Sequence, residues 1–569
     1  MKKLRWQLLV VILSLVAIGF LLLGQQPERL PGGEPEIEPV RGGVYTEALV
    51  GTPLRLNPML DYYNQVDYDV DRLIFCSLVS FDHRGLPFGN VADSWGISID
   101  GTRYSFSIRD DAVWHDGEPV TSKDVIFTIE SLRSEDTPMP PDVHEFWQQV
   151  EVFESDEKTI SFELPEPFAP FLDYLTFGLL PEHLLGHLYP DEIIDDAFNL
   201  NPVGCGPYKF DQFVVEDGDI MGVVLLAFDD YYAQKAYIDQ LVFRYYADAA
   251  SALFAYKQGD VMGINQVPPS VLSEALIEPD LKLFSARLPR LSLVYLNLDL
   301  PEMSFFQEIE VRRALLSSIN RRWIVDRLLG GQAIIAHGPI FPESWANYED
   351  VEQLAFDREY AIEVLKDAGY TIPAEGGWVR AKDDVRLSFE MVHPDVEPYP
   401  EIAQKIQENW RQIGVDVSLE SVPYQELLED YLEPREYEAA LVELNLARSP
   451  DPDPYPFWHQ TQISGGQNYA GWDDRQASEY LERARVKSEI EERTRLYRNF
   501  QFRFSQELPA LLLFYPVYTY SLDNQVQAVS VGPLYDPSDR FDTITEWFLL
   551  AGVTEPDTPE PPSEETTNE

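Results

Sequence analysis

The densest concentration of groups able to do chemistry lies in residues 441–472, LVELNLARSPDPDPYPFWHQTQISGGQNYAGW. An apolar strand end runs into Asp451-Pro452-Asp453-Pro454, then Tyr455, Phe457 and Trp458 within four residues, then the flexible pair Gly465-Gly466. Ligand sites combine apolar and aromatic walls with a few fixed polar groups, and loops on a rigid scaffold supply both. Asn445, Arg448, Asp451, Tyr455 and Trp458 are therefore the candidate ligand contacts, the aromatic rings stacking on or walling the ligand. A plainer role stands beside this one: Asp451 and Asp453 set proline-rich turns, and Trp458 is core.

Other chemistries find less support. His183 and His187 have the i, i+4 spacing of a helical zinc pair, but no glutamate follows His183 to complete H-E-x-x-H. No metal is expected. Gly204-Cys205-Gly206 invites comparison with a dinucleotide cradle, yet Lys209 stands where G-x-G-x-x-G needs its third glycine, so no cofactor is expected either. G-x-S-x-G is absent, and among 97 acidic residues any glycosidase-like carboxylate pair is unspecific. The reading is a binding protein and not an enzyme. Trp114 and His115, beside a tight turn, are read as structural.

The 97 acidic residues face 43 basic ones, a net charge of −54, which argues against nucleic acid and against polybasic contact with anionic lipid. The two cysteines, Cys76 and Cys205, exclude a disulfide framework. They are read as buried free thiols, with a single bridge closing a long loop as the alternative in an oxidising compartment.

The elements that position these groups are clearest in residues 91–132, VADSWGISIDGTRYSFSIRDDAVWHDGEPVTSKDVIFTIESL. Ile97 and Ile99 alternate with polar neighbours, Asp100-Gly101 turns the chain, and Tyr104, Phe106 and Ile108 alternate on the return, which predicts a β-hairpin. His115-Asp116-Gly117 predicts a second turn, and Thr121 with Asp124 a capping box ahead of an apolar helix. Further on, helices are predicted over residues 69–78, 251–260 and 311–329, and again after Asp357 and through Ile402 and Ile406, with strands over 239–246 and 415–419. Helix followed by strand, twice, argues for an α/β second half. The apolar run 511–520 is read as carrying the chain back to the first half.

The order A-D-S-W, D-G-T-x-Y-x-F-x-I-R and V-W-H-D-G-E-P-V-T-x-x-D-V-x-F-T across that block resembles the family 5 extracellular solute-binding proteins, the dipeptide and oligopeptide receptors of ABC importers. Gly42-Gly43, Leu56-Asn57-Pro58, Pro165-Glu166-Pro167-Phe168 and Asn201-Pro202-Val203-Gly204-Cys205-Gly206-Pro207-Tyr208 fit the same family, with Cys205 where threonine is usual. The resemblance implies a two-lobed, periplasmic-binding-protein-like α/β fold with an enlarged first lobe and a hinge. It places lobe I, with an extra subdomain, at 42–287, lobe II at 288–508 and a return to lobe I at 509–551. The implied role is capture of peptides or a related solute and delivery to permease and ATPase subunits; oligosaccharide or anionic cargo, or service as a ligand sensor, is the alternative.

The resemblance also implies that the first strand lines the ligand groove, which makes Glu47 a candidate contact. In the peptide receptors an aspartate before the D-P-D segment holds the ligand's α-amine, and counting back from Asp451-Pro452-Asp453 puts Arg448 there. A guanidinium would repel an ammonium and suit a carboxylate, phosphate or sugar; with the loop shifted by three residues, Asp451 takes the amine instead. Residues 1–26 open with Lys2, Lys3 and Arg5 and continue in an apolar run over 8–23, an export signal read as an uncleaved membrane anchor, with a cleaved signal as the alternative. Residues 27–41 form a proline-rich tether and 552–569 a disordered acidic tail. The implied location is periplasmic or extracellular, tethered to the outer face of the cytoplasmic membrane.

Overall fold

The computed structural model describes residues 39–374, 376–447 and 449–550, so the N-terminal apolar run, most of the tether, the acidic tail and Arg448 lie outside the described residues. The chain separates into a unit of residues 1–40 and a unit of residues 41–569, and the fold is that of the second. Among the described residues, no helix is long and apolar enough to cross a membrane.

In the block that is most legible in the sequence, Ala92–Ile97 and Arg103–Ile108 pair antiparallel around Asp100-Gly101, with Gly101 at φ 75°. Thr121 and Asp124 form the reciprocal capping box of the helix Ser122–Leu132. Tyr104, Phe106 and Ile108 point into the core, as their alternation requires. Ile97 and Ile99 do not: Ala92–Ile97 is the edge of a four-stranded sheet and Ile99 lies in the turn, so both side chains stay exposed.

The second lobe shows why its strands read as continuous apolar runs. Along Arg290–Leu296 and Ala439–Asn445, Leu291, Leu293, Tyr295, Ala440 and Val442 enter one core, while Val294, Leu296, Ala439 and Leu441 enter another. Helices Arg475–Arg485 and Ile490–Glu507 cover the first face; Ile309–Ser318, Arg358–Asp367 and Tyr399–Gln412 cover the second. A sheet buried on both faces needs apolar side chains in both directions.

A single strand, Ala510–Asp523, carries both lobes. Its first part pairs antiparallel with Arg290–Leu296 and with Ala333–Ile335 in the second lobe. Its last part pairs with Leu281–Arg287 and with Gly263–Ile264, which lies parallel to the first strand, Val44–Val50. Val44–Val50 then continues the sheet through Gln240–Tyr246, Asp219–Ala227 and Tyr208–Glu216. One twelve-stranded sheet results, its two halves meeting along one polypeptide segment.

Two helix boundaries differ from expectation. The helix expected over 69–78 is Gln65–Ile74, capped by the Asn64 side chain on Val66 N, so Cys76 lies in the extended segment after it. The helix expected over 311–329 stops at Ser318, because Ile319 turns extended and the Asn320 side chain caps a fresh turn by accepting from Trp323 N.

The cysteines correct the expectation of free thiols: Cys76 and Cys205 are joined in a disulfide, their Cα atoms 5.2 Å apart. Gly204 and Gly206 make this approach possible. Gly206 N donates to the Ile74 carbonyl at 2.7 Å, and a Cβ on Gly204 would come within 2.0 Å of that same oxygen. These glycines let two backbones touch. The bridge closes a sequence separation of 129 residues. Replacing Cys205 by serine is expected to cost about 2–5 kcal/mol, measured as a shift in urea denaturation that the native protein reproduces under reductant.

Candidate functional site

A cavity of about 380 Å³ lies between the lobes. The first lobe contributes Trp147, Phe168, Asp173 and Phe177; the second contributes Phe341, Asn445, Asp451, Asp453, Phe457 and Trp458. Its first-lobe wall is the short 3-10 turn Ala169–Leu175, opened by Pro170, whose lack of an N–H costs nothing at that position. Its second-lobe wall is the loop that leaves the strand Ala439–Asn445 and settles in the turn Tyr455–Trp458. The loop thus emerges from the end of a strand whose neighbours hold it rigidly.

The loop's two aspartates are already partnered. Arg493, on the helix Ile490–Glu507, grips Asp451 with both terminal nitrogens, Nη1 to Oδ2 at 2.5 Å and Nη2 to Oδ1 at 2.7 Å. Arg493 also donates to Tyr497 Oη at 2.9 Å and to the Ala484 carbonyl at 3.0 Å. Burial raises the Asp451 carboxyl and the Arg493 guanidinium works against that rise. Arg485 Nε donates to Asp453 Oδ2 at 2.7 Å, and its guanidinium lies 3.7 Å from the centre of the Tyr455 ring. Tyr455 is thereby held between Arg485 and His459, whose ring stacks on it at 4.0 Å and 11°.

Asp173 reaches across from the first lobe. Its Oδ2 accepts from Ser449 Oγ and from Asp451 N, both at 2.9 Å. Burial first, and then the charge of Asp451, hold its carboxyl well above the usual carboxylate range. The guanidinium of Arg485 adds a second crossing, 5.4 Å from the centre of the first-lobe Phe168 ring.

The residues singled out from the sequence fall in different places. Asn445, Asp451 and Trp458 wall the cavity. Trp458 is also core, packed edge-on to Phe504 at 4.8 Å. Tyr455 is not among the cavity's lining residues; Arg448 lies outside the described residues. Glu47 sits apart from the cavity with no exposed surface. Its Oε1 accepts from Arg540 at 2.9 and 3.1 Å, and its Oε2 from the hydroxyls of Tyr45 and Tyr520 at 2.6 and 2.7 Å, which occupies the whole carboxylate. Asp69 neutralises the same arginine at 2.7 Å.

Among the described residues no group of three His, Cys, Asp or Glu is arranged to hold a metal ion. His183 pairs with Asp116 at 2.8 Å, and His115 bonds to the Gly206 carbonyl at 3.1 Å. Sequence reasoning missed the first-lobe wall. Phe168 belongs to a motif it noted, but Trp147 and Asp173 carry no local signal that separates them from other aromatics and acids.

Residues 87–466 match the family described as bacterial extracellular solute-binding proteins, family 5 Middle. The oligopeptide-binding protein AppA of Bacillus subtilis is 25% identical over 523 residues, covering 90% of this chain and 92% of that protein. Among solved structures, AppA of Bacillus subtilis in complex with a nonapeptide is similar at a TM-score of 0.68 and 23% identity, over 90% of this chain and all of that one. NikZ of Campylobacter jejuni in complex with Ni(L-His) is similar at 0.67 and 24%, over 89% of this chain and 99% of that one.

The enclosed pair of Asp451 and Arg493 gives a direct test of the site's architecture. Arg493→Met leaves a buried carboxylate uncompensated and is expected to destabilise the protein by about 3–5 kcal/mol. Adding Asp451→Asn should recover part of that loss, measured by chemical denaturation of the single and double variants.

Proposed function

The chain belongs to the bacterial extracellular solute-binding proteins of family 5, and on that premise we propose that it is the extracytoplasmic substrate-binding subunit of an ABC importer, capturing peptides. The observation that carries this reading is the cavity walled by both lobes, which meet along the one strand Ala510–Asp523. Lobes joined in this way can swing open and close on a ligand, and a ligand that touches both faces favours the closed form. Release to permease and ATPase subunits then follows from reopening. The peptide assignment is supported by the likeness to the oligopeptide-binding protein of Bacillus subtilis along most of both chains.

We read the site as one that binds and does not transform its ligand. Asp451 and Asp453, the acids that the loop presents, are each tied to an arginine, which suits them to shaping a wall and not to moving protons. We place the protein outside the cytoplasm, held at the membrane by its N-terminal segment. Lys2, Lys3 and Arg5 ahead of an apolar run, with a proline-rich stretch after it, support that placement.

Mass spectrometry of small molecules released on denaturing the gently purified protein tests the assignment. Peptides are expected, and each identified peptide should stabilise the native state by about 2.7 kcal/mol at a hundredfold excess over its dissociation constant. Recovery of oligosaccharides or anionic solutes alone, with no thermal shift from peptides, would overturn it.

A further inference from the structure

Resting on the peptide reading of the cleft, we propose that Asp173 receives the ligand's terminal ammonium, and that it does so from the first lobe while holding the second lobe in place.

Among the described residues, four carboxyl side chains wall the cavity: Asp61, Asp173, Asp451 and Asp453. Asp451 is gripped by Arg493 and Asp453 by Arg485, so neither has a charge left for a ligand. Asp61 is engaged elsewhere and lies beside the like charge of Asp71. Asp173 differs from all three. It forms no ion pair with a described residue, and its two hydrogen bonds come from neutral donors that both land on Oδ2. Oδ1 accepts no hydrogen bond from a described residue. A nearly enclosed carboxyl with no ion-pair partner among the described residues is costly to ionise, and the charge of Arg493, already paired with Asp451, offsets that cost only in part, so a positive group arriving from elsewhere favours ionisation. In a cavity between two lobes, the ligand is the group that arrives.

The surroundings select which cation. Phe168, Trp147, Phe177 and Met139 wall the same cavity around the 3-10 turn that carries Asp173, and they make an apolar recess beside it. A metal or a strongly hydrated small cation gains nothing from such walls. An ammonium attached to an apolar side chain satisfies the carboxylate and the recess together, which is the chemistry of the first residue of a peptide.

The second half of the proposal follows from the position of Oδ2. The donors Ser449 Oγ and Asp451 N belong to the opposite lobe, so these two bonds cross the cleft. Hydrogen bonds to an ionised acceptor are about twice as strong as neutral ones. A cation seated at Oδ1 ionises Asp173 and thereby strengthens its hold on the second-lobe loop. Ligand capture and closure are coupled through one carboxyl.

The test is equilibrium binding of a short-peptide library with free amino termini against the same library N-acetylated, on the full-length protein freed of bound ligand. The native protein is expected to hold free-amine peptides about tenfold to a hundredfold more tightly than acetylated ones. Asp173→Asn should bring both forms to the same weakened affinity. Ser449→Ala removes one closure bond that the ammonium strengthens, so it should weaken both forms, and free-amine peptides more than acetylated ones. If the native protein binds peptides without preferring a free amine, or if Asp173→Asn keeps the preference, the proposal is overturned and the peptide reading stands. If neither library binds, the peptide reading fails and the proposal falls with it. The ratio in the native protein needs no variant, so it decides the matter even where Asp173→Asn does not fold.

Discussion

Every backbone N–H and C=O of a buried strand must find a partner, and Ala510–Asp523 finds its partners in two lobes. Beginning at Ala510 it is locked to Arg290–Leu296, and from Val517 to Asp523 it is locked to Leu281–Arg287. The lobes therefore cannot part along this line without breaking a ladder of buried hydrogen bonds. The cavity is walled from both sides of this seam. The rest of the design, from the two cores to the crossing bonds of Asp173, is arranged around this seam.

Buried charge is the second organising feature. Arg540 is fully enclosed and answered by Glu47 and Asp69, with Tyr45 and Tyr520 filling the remaining acceptor sites of Glu47. Arg493 does the same for Asp451 under the cavity loop. Such pairs add little net stability over apolar residues, because desolvation offsets most of the attraction, but removing one partner is severe. Their effect is positional. The first-strand pair joins the chain's beginning to a segment near its end, and the loop pair pins the D-P-D-P turn against a helix that follows it in sequence. A ligand that meets this loop meets a rigid wall.

The parts of the fold readable from sequence are those set by local chemistry. The capping box at Thr121 and Asp124, the turn at Gly101 and the alternation of Tyr104, Phe106 and Ile108 each rest on residues a few positions apart, and each forms as its pattern dictates. Local signals misled where a longer-range partner decided. The apolar rhythm of 311–329 continues smoothly, yet Asn409, 89 positions on, accepts from Asn320 N where the helix breaks, and Asn320 caps the following turn. Ile97 and Ile99 alternate like core residues but fall on a sheet edge and in a turn.

The candidate site divides in the same way. From the sequence alone came the loop Asp451–Trp458 as a wall in composition, the absence of a nucleophile or metal motif, and the family likeness that implies two lobes. Tertiary structure alone decided which acids are free to act. Asp451 and Asp173 both stand in proline-containing segments, and neither neighbourhood shows which of them is tied to an arginine. The distinction comes from Arg493, 42 positions beyond Asp451, and from the meeting of Asp173 with Ser449 across a separation of 276. Likewise, Cys76 and Cys205 become a bridge only because Gly204 lets one backbone rest on the carbonyl of Ile74. Charge and thiol chemistry depend on distance in space as 1/r and on contact, and chain position sets neither until the lobes have folded together.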